Sequence, residues 1–224
     1  LDLDDAMTNV VNLSVSGSSN LGGDVTTTGT QTYQGAVTLS TATVTLTTTD
    51  SNITFNGTID SDGVSARALT LNLNGADAES ITADVIFGNA TADTLGATNP
   101  LGAISITGDL DLNAAITSAA SLSVSGTSNL GANVTTTGTQ TYTSGVTLSG
   151  GDRTLTGSTV NFGDTITGTG SHNLTISGAL DLDDAMTNVV NLSVSGTSNL
   201  GANVTTSGTQ TYTSGVTLSA ATVT

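Results

Sequence analysis

The sequence predicts an all-β fold, a right-handed parallel β-helix (β-solenoid) with about 18–20 residues per turn. Three observations predict it: long internal repeats, short alternating strands, and a near-constant step between those strands. The repeats come first, because a repeated module governs how every motif is read. Leu1 to Thr45 and Leu180 to Thr224 align without a gap and differ at eight positions. A third copy starts at Leu110, with its first dozen residues more diverged. The units are 1–109, 110–179 and 180–224, the last cut short, in one continuous solenoid over 1–224. The chain starts and stops inside a repeat, so it is expected to be a segment of a longer polypeptide.

Within each unit the apolar residues alternate with Ser and Thr. Leu13-Ser-Val-Ser-Gly17, Ala42-Thr-Val-Thr-Leu-Thr47, Ile53-Thr-Phe55, Leu69-Thr-Leu-Asn-Leu73, Ile104-Ser-Ile106 and Leu174-Thr-Ile176 all show the two-residue period of a strand with one side inward. Val and Thr dominate, as suits a pleated surface. The runs end at Ser16-Gly17, Asn56-Gly57, Asn74-Gly75 and Ser177-Gly178, residues that tolerate left-handed backbone at corners. Asp4 to Val11 and Asp183 to Val190 are the only stretches with any helical character, and they are too short to nucleate a helix readily.

Leu13, Tyr33, Ile53 and Leu73 stand 20 residues apart, and Ile104, Leu122 and Tyr142 stand 18 and 20 apart, as do Leu174, Leu192 and Tyr212. This step predicts roughly eleven or twelve turns and a rod on the order of 55 Å at ~4.8 Å per stacked strand. A β-sandwich is the alternative, and Asn56-Gly57 would suit one of its hairpins. Unequal units argue for the solenoid: 39 residues separate the lengths of the first two, about two turns of the same step.

Hydrophobic residues make up 36% and aromatic residues 3% of the chain, which predicts a thin core of small side chains. The formal charge is −16, from 18 acids against Arg67 and Arg153. Nucleic acid and anionic membrane surfaces are repelled by such a chain. No run reaches the ~20 apolar residues of a membrane-spanning helix, and the first residues lack the pattern of a signal peptide. With no cysteine, disulfide frameworks and thiol chemistry are excluded.

Thr137 to Leu148 (TGTQTYTSGVTL), Gly151 to Gly163 (GDRTLTGSTVNFG) and Asn173 to Gly178 (NLTISG) give the chain its style. With Ala90 to Ile106 as a connecting segment, this style resembles the shaft repeats of filamentous-haemagglutinin-like adhesins. The resemblance implies a parallel β-helix shaft in a large bacterial surface or secreted protein, exported by a two-partner or autotransporter-like route. It implies a structural, adhesive extracellular role; separately, the residues show no convergent acids or cleft base of a carbohydrate-cleaving solenoid, so no catalysis is expected. Expected partners are other copies of the protein, end to end or laterally, and cell-surface glycans. A surface-layer or sheath subunit is another role open to such a chain.

The candidate metal ligands are Asp2 and Asp4, repeated as Asp181 and Asp183, which on a strand would share a face and offer oxygens to calcium. The middle copy keeps Asp111 and has Asn113 and Ala114 in place of the others, so solvated acids are the plainer reading. If calcium does bind, it is expected to promote bundling. The threonines around Thr43-Val-Thr45-Leu-Thr47 and Thr135 to Thr141 suggest an outward ladder suited to glycan or ice, but their pairs do not recur at every turn. His172 stands without a partner, and no catalytic or cofactor-binding residue is assigned.

Overall fold

The computed structural model describes residues 1–73, 83–89, 92–169, 171–220 and 223. Every strand pairing among them is parallel, and each strand lies on the strand one rung earlier in the chain. The strands form three faces. The first begins Asp2–Leu3, Ser19–Leu21, Val37–Leu39, Ile59–Ser61. The second begins Met7–Val10, Val25–Thr27, Thr43–Thr47, Arg67–Asn72. The third begins Leu13–Val15, Gln31–Tyr33, Ile53–Phe55, Asp84–Phe87. Ten strands stack on the third face. Two strands of an eleventh rung, Gln210–Tyr212 and Val216–Leu218, follow on the first and second faces. The β-solenoid expectation holds, with somewhat fewer turns than eleven or twelve. Among the described residues no hairpin or helix occurs. Asn56-Gly57 is a corner between the third and first faces, and Asn74-Gly75 lies outside the described residues.

The alternation forms strands because one residue in two is driven inward by the hydrophobic effect. Met7, Val25, Leu46, Leu71, Ile106, Val124, Tyr142, Phe162, Leu182 and Leu200 stand in register down the second face. The core is therefore one column of side chains per inward position rather than a globular interior. Its few aromatic rings are concentrated there. Tyr33, Phe55 and Phe87 stack in consecutive rungs with centroids 5.1 and 5.4 Å apart, and Tyr142 stacks on Phe162 at 5.4 Å.

Pairing also corrects the step. Leu13 is opposite Gln31, Leu122 opposite Gln140, and Leu192 opposite Gln210, each 18 residues on. Tyr33, Tyr142 and Tyr212 stand two residues too far to mark the register. Leu73 follows a second-face strand and so does not continue the Leu13 column. The fourth rung takes more residues than the others, with Ile59 paired to Leu95.

Two of the predicted corner glycines serve a different purpose from the one their sequence positions suggest. Gly17 and Gly57 do not have positive φ, whereas Gly178 does, at 154°. A Cβ on Gly35 would lie 2.7 Å from the backbone of Gly17, and one on Gly57 would lie 2.8 Å from Gly35. Stacked corners approach too closely for a side chain. Left-handed backbone also falls on Asn9 and Asn188 (φ 62° and 56°), inside the stretches with helical character. These form the strands Met7–Val10 and Met186–Val189, each with a register shift at the asparagine, a β-bulge.

Candidate functional site

Outward positions carry almost all the polar chemistry, and the repeat decides where each group falls. The opening Leu-Asp-Leu of the three units lies on the first face in rung one, the third face in rung five and the second face in rung nine. Successive units are thus fourteen and eleven strands apart, each a third of a turn short of whole rungs. Among the described residues, the extra 39 residues of the first unit supply three strands, one rung rather than two.

Each unit therefore presents the same outward column on a different face: Asp2, Asn20, Thr38; Asp111, Asn129, Thr147; Asp181, Asn199, Thr217. In every copy the asparagine Nδ2 donates to the aspartate Oδ1, at 2.8, 2.9 and 2.8 Å. Asp2 and Asp181 are thus tied to the rung above. Asp4 and Asp183 do not share their face, because the strands end at Leu3 and Leu182 and the chain bends at the corner. Among the described residues, no group of three or more His, Cys, Asp or Glu converges in a way that would hold a metal ion.

A second set of side chains clamps the corners. The Oδ1 of Asn12 accepts the Thr30 N–H at 2.9 Å, and that of Asn191 accepts the Thr209 N–H at 2.7 Å. Asp24, Asp109 and Asn133 hold Thr45, Thr127 and Thr154 in the same way. Asp152 accepts both the N–H and the side-chain amide of Asn173. These bonds, with nearby His172 and Arg153, hold its carboxyl below the usual range. His172 is the corner residue beside it, and its carbonyl accepts the Val190 N–H.

The two arginines serve the chain locally. Arg67 makes a two-bond ion pair with Asp62 (Nη2 to Oδ2 2.7 Å, Nε to Oδ1 3.1 Å), bracing a loop whose tip, Val64, is exposed. That hydrogen bonding holds the Asp62 carboxyl down at about 2. Arg153 is buried and gives Nε and Nη2 to the Ser149 carbonyl at 2.9 and 2.6 Å. Beneath the Asp62 loop, a cavity of about 140 Å³ is lined by Ser61, Gly63, Ser65, Ala66, Asn99 and Pro100. The Ser61 hydroxyl is occupied, donating to the Pro100 carbonyl and accepting from the Arg67 N–H.

Like charges meet across two adjacent rungs of the third face. Asp84 and Asp109 are opposite one another on adjacent rungs, with Asp111 two residues along. Partial burial, then repulsion from Asp109 and Asp111, raises the Asp84 pKa.

Sequence reasoning missed a buried polar cluster. Gln31 and Gln140 are fully buried. Gln140 Nε2 donates to the Thr156 carbonyl at 2.8 Å, and its Oε1 receives the Tyr142 hydroxyl at 3.2 Å. Gln31 and Tyr33 repeat the arrangement. The signal was the spacing Gln-x-Tyr, which puts both side chains on one side of a strand. Burial raises the pKa of both tyrosines far above the ordinary phenol value.

The chain matches no protein-family model, no curated protein and no solved structure. What the surface offers chemically is hydroxyl, amide and carboxylate groups in regular columns.

Proposed function

We propose that this chain is a non-catalytic shaft segment of a bacterial extracellular fibre, structural and adhesive in role. The observation that supports it most directly is the stacking of unequal repeat units in one unbroken parallel register, with a whole rung added in the first. Length is then set by the number of rungs, and each rung satisfies the backbone of the next. The acid-rich corners keep neighbouring shafts apart at low salt.

The test is to raise antibodies against the purified chain and label intact cells of the source organism by immunogold electron microscopy. Label on filaments or the outer surface is expected, and deletion of the gene should reduce attachment or matrix formation. Label confined to the cytoplasm, or a deletion strain that attaches normally, would refute the role. Fibre widths compared in chelator and in millimolar calcium address bundling separately: equal widths remove calcium from the scheme.

A further inference from the structure

Two arginines stand against 18 acids, and the fold treats them differently. Arg67 is paired with Asp62. Arg153 is only 8% exposed, and among the described residues no carboxylate forms an ion pair with it. Its neighbour Asp152 is turned away. Both oxygens of Asp152 are taken by Asn173 on the next rung, Oδ1 by the N–H at 2.9 Å and Oδ2 by the side-chain amide at 3.0 Å. Burial lowers the Arg153 pKa, and the charge of Asp152 offsets this only in part. A buried cation without a counter-charge is costly.

The guanidinium is half used. One edge, Nε with Nη2, donates to the Ser149 carbonyl. The other edge, Nη1 with the second N–H of Nη2, has no acceptor in the protein. Nor is it sealed in the core. Among the described residues, the buried side-chain nitrogens and oxygens without a partner are the hydroxyls of Ser19, Ser128 and Ser198, so Nη1 is open to solvent. The corner around it is enlarged. Leu39 to Val44 is five residues in the first unit, whereas Leu148 to Leu155 is seven in the second. The longer corner contains Gly150 and Gly151, both at positive φ (70° and 143°). A Cβ on Gly150 would lie 3.0 Å from Nη2 and crowd that edge. Beyond its chain neighbours, a Cβ on Gly151 would meet nothing within 4 Å except Nη2, at 3.5 Å, so the space beside the guanidinium is open.

We infer that the free edge of Arg153 is a binding site for a small oxyanion, a phosphate or a carboxylate. Two parallel N–H groups in one plane match two oxygens of one such group. A single fork takes a single anionic group. A nucleic acid would meet the −16 charge of the rest of the chain with no further free arginine to hold it. The same charge, and Asp152 beside the site, oppose any anion, so a dissociation constant on the order of 1 mM is expected for one fork. The inference does not depend on the shaft role, since it concerns one corner of the isolated chain.

The test uses the purified 224-residue chain, isotope-labelled for NMR. Sodium phosphate, and in a second series sodium acetate, replaces sodium chloride at constant ionic strength. The Arg153 guanidinium signals and the Gly150 and Gly151 amides should shift and saturate with at least one of the two anions. The Arg67 signals should not, because Asp62 already holds that fork. Arg153→Lys keeps the charge without the second edge and should weaken binding at least tenfold, while Arg67→Lys should leave it unchanged. Should Arg153→Lys fail to fold, the comparison of the two arginines in the wild type decides alone. Sedimentation velocity separates the sources of the anion. A monomer throughout means a free ion, and a dimer that phosphate dissolves and Arg153→Lys lacks means an aspartate of a second copy; either sustains the site. Absence of saturation by tens of millimolar with both anions would overturn the inference. So would equal shifts at both arginines, or unchanged affinity in folded Arg153→Lys.

Discussion

Gly196 and Gly17 look interchangeable in sequence, each following a serine in the same repeated motif. In the structure a Cβ on Gly196 would lie 2.5 Å from the Gly178 backbone, whereas one on Gly17 would meet nothing within 4 Å. Gly196→Ala should therefore cost about 1–3 kcal/mol, as overpacking does, and Gly17→Ala should leave the thermal midpoint nearly unchanged. Differential scanning calorimetry of the two variants checks this. Asp84 offers a pH test. Its pKa is raised, so its ionised form opposes folding, and the penalty accrues as pH rises above the ordinary carboxylate value of about 4. Asp84→Asn should raise the melting temperature at pH 7 and leave it unchanged at pH 3. Asp62 has the opposite sign. Its depressed pKa contributes stability above pH ~4 that is lost as pH falls through about 2, so the loop it braces should open there. Protease nicking near Val64 between pH 4 and 2 would report it.

Among the elements, the Gln-x-Tyr strands show how a polar residue is used inside a narrow tube. Gln140→Leu would leave the Tyr142 hydroxyl buried without its partner, costing about 1–3 kcal/mol. Adding Tyr142→Phe should recover part of that loss, because the orphaned hydroxyl is then gone. Urea midpoints of the single and double variants would reveal the coupling. The strand itself was legible from its alternation. The inward direction of glutamine was not, because a polar residue ordinarily marks the solvent side. The Met7–Val10 strand was obscured for a related reason: Asn9 interrupts the alternation with a left-handed residue, and the pattern then imitates a helical turn.

For the whole molecule, the repeat and the rung are separate periods. Each unit begins one face away from the last, so its surface column points in a new direction. Inserting a second copy of residues 110–179 should lengthen the rod by eleven strands, about 18 Å at ~4.8 Å per rung. It should also return the final Asp-Asn-Thr column to the first face. Small-angle scattering would measure the added length, and growth in width instead would contradict the stacking. The β-solenoid was legible because repeats, alternation and a step near 18 are local properties. The rung count was not, since the fourth rung runs from Ile59 to Leu95, well beyond the common step.

By itself, the sequence determined that the chain is an acidic, helix-poor β-solenoid built from near-identical units, because side-chain period and composition act locally. Only the tertiary structure decided which outward groups share a face. A shift of one-third of a rung per unit moves identical residues to different faces, and serine and threonine distant in sequence meet in one column. That assembly depends on register between rungs, which is set by burial and corner packing across 18 to 36 residues.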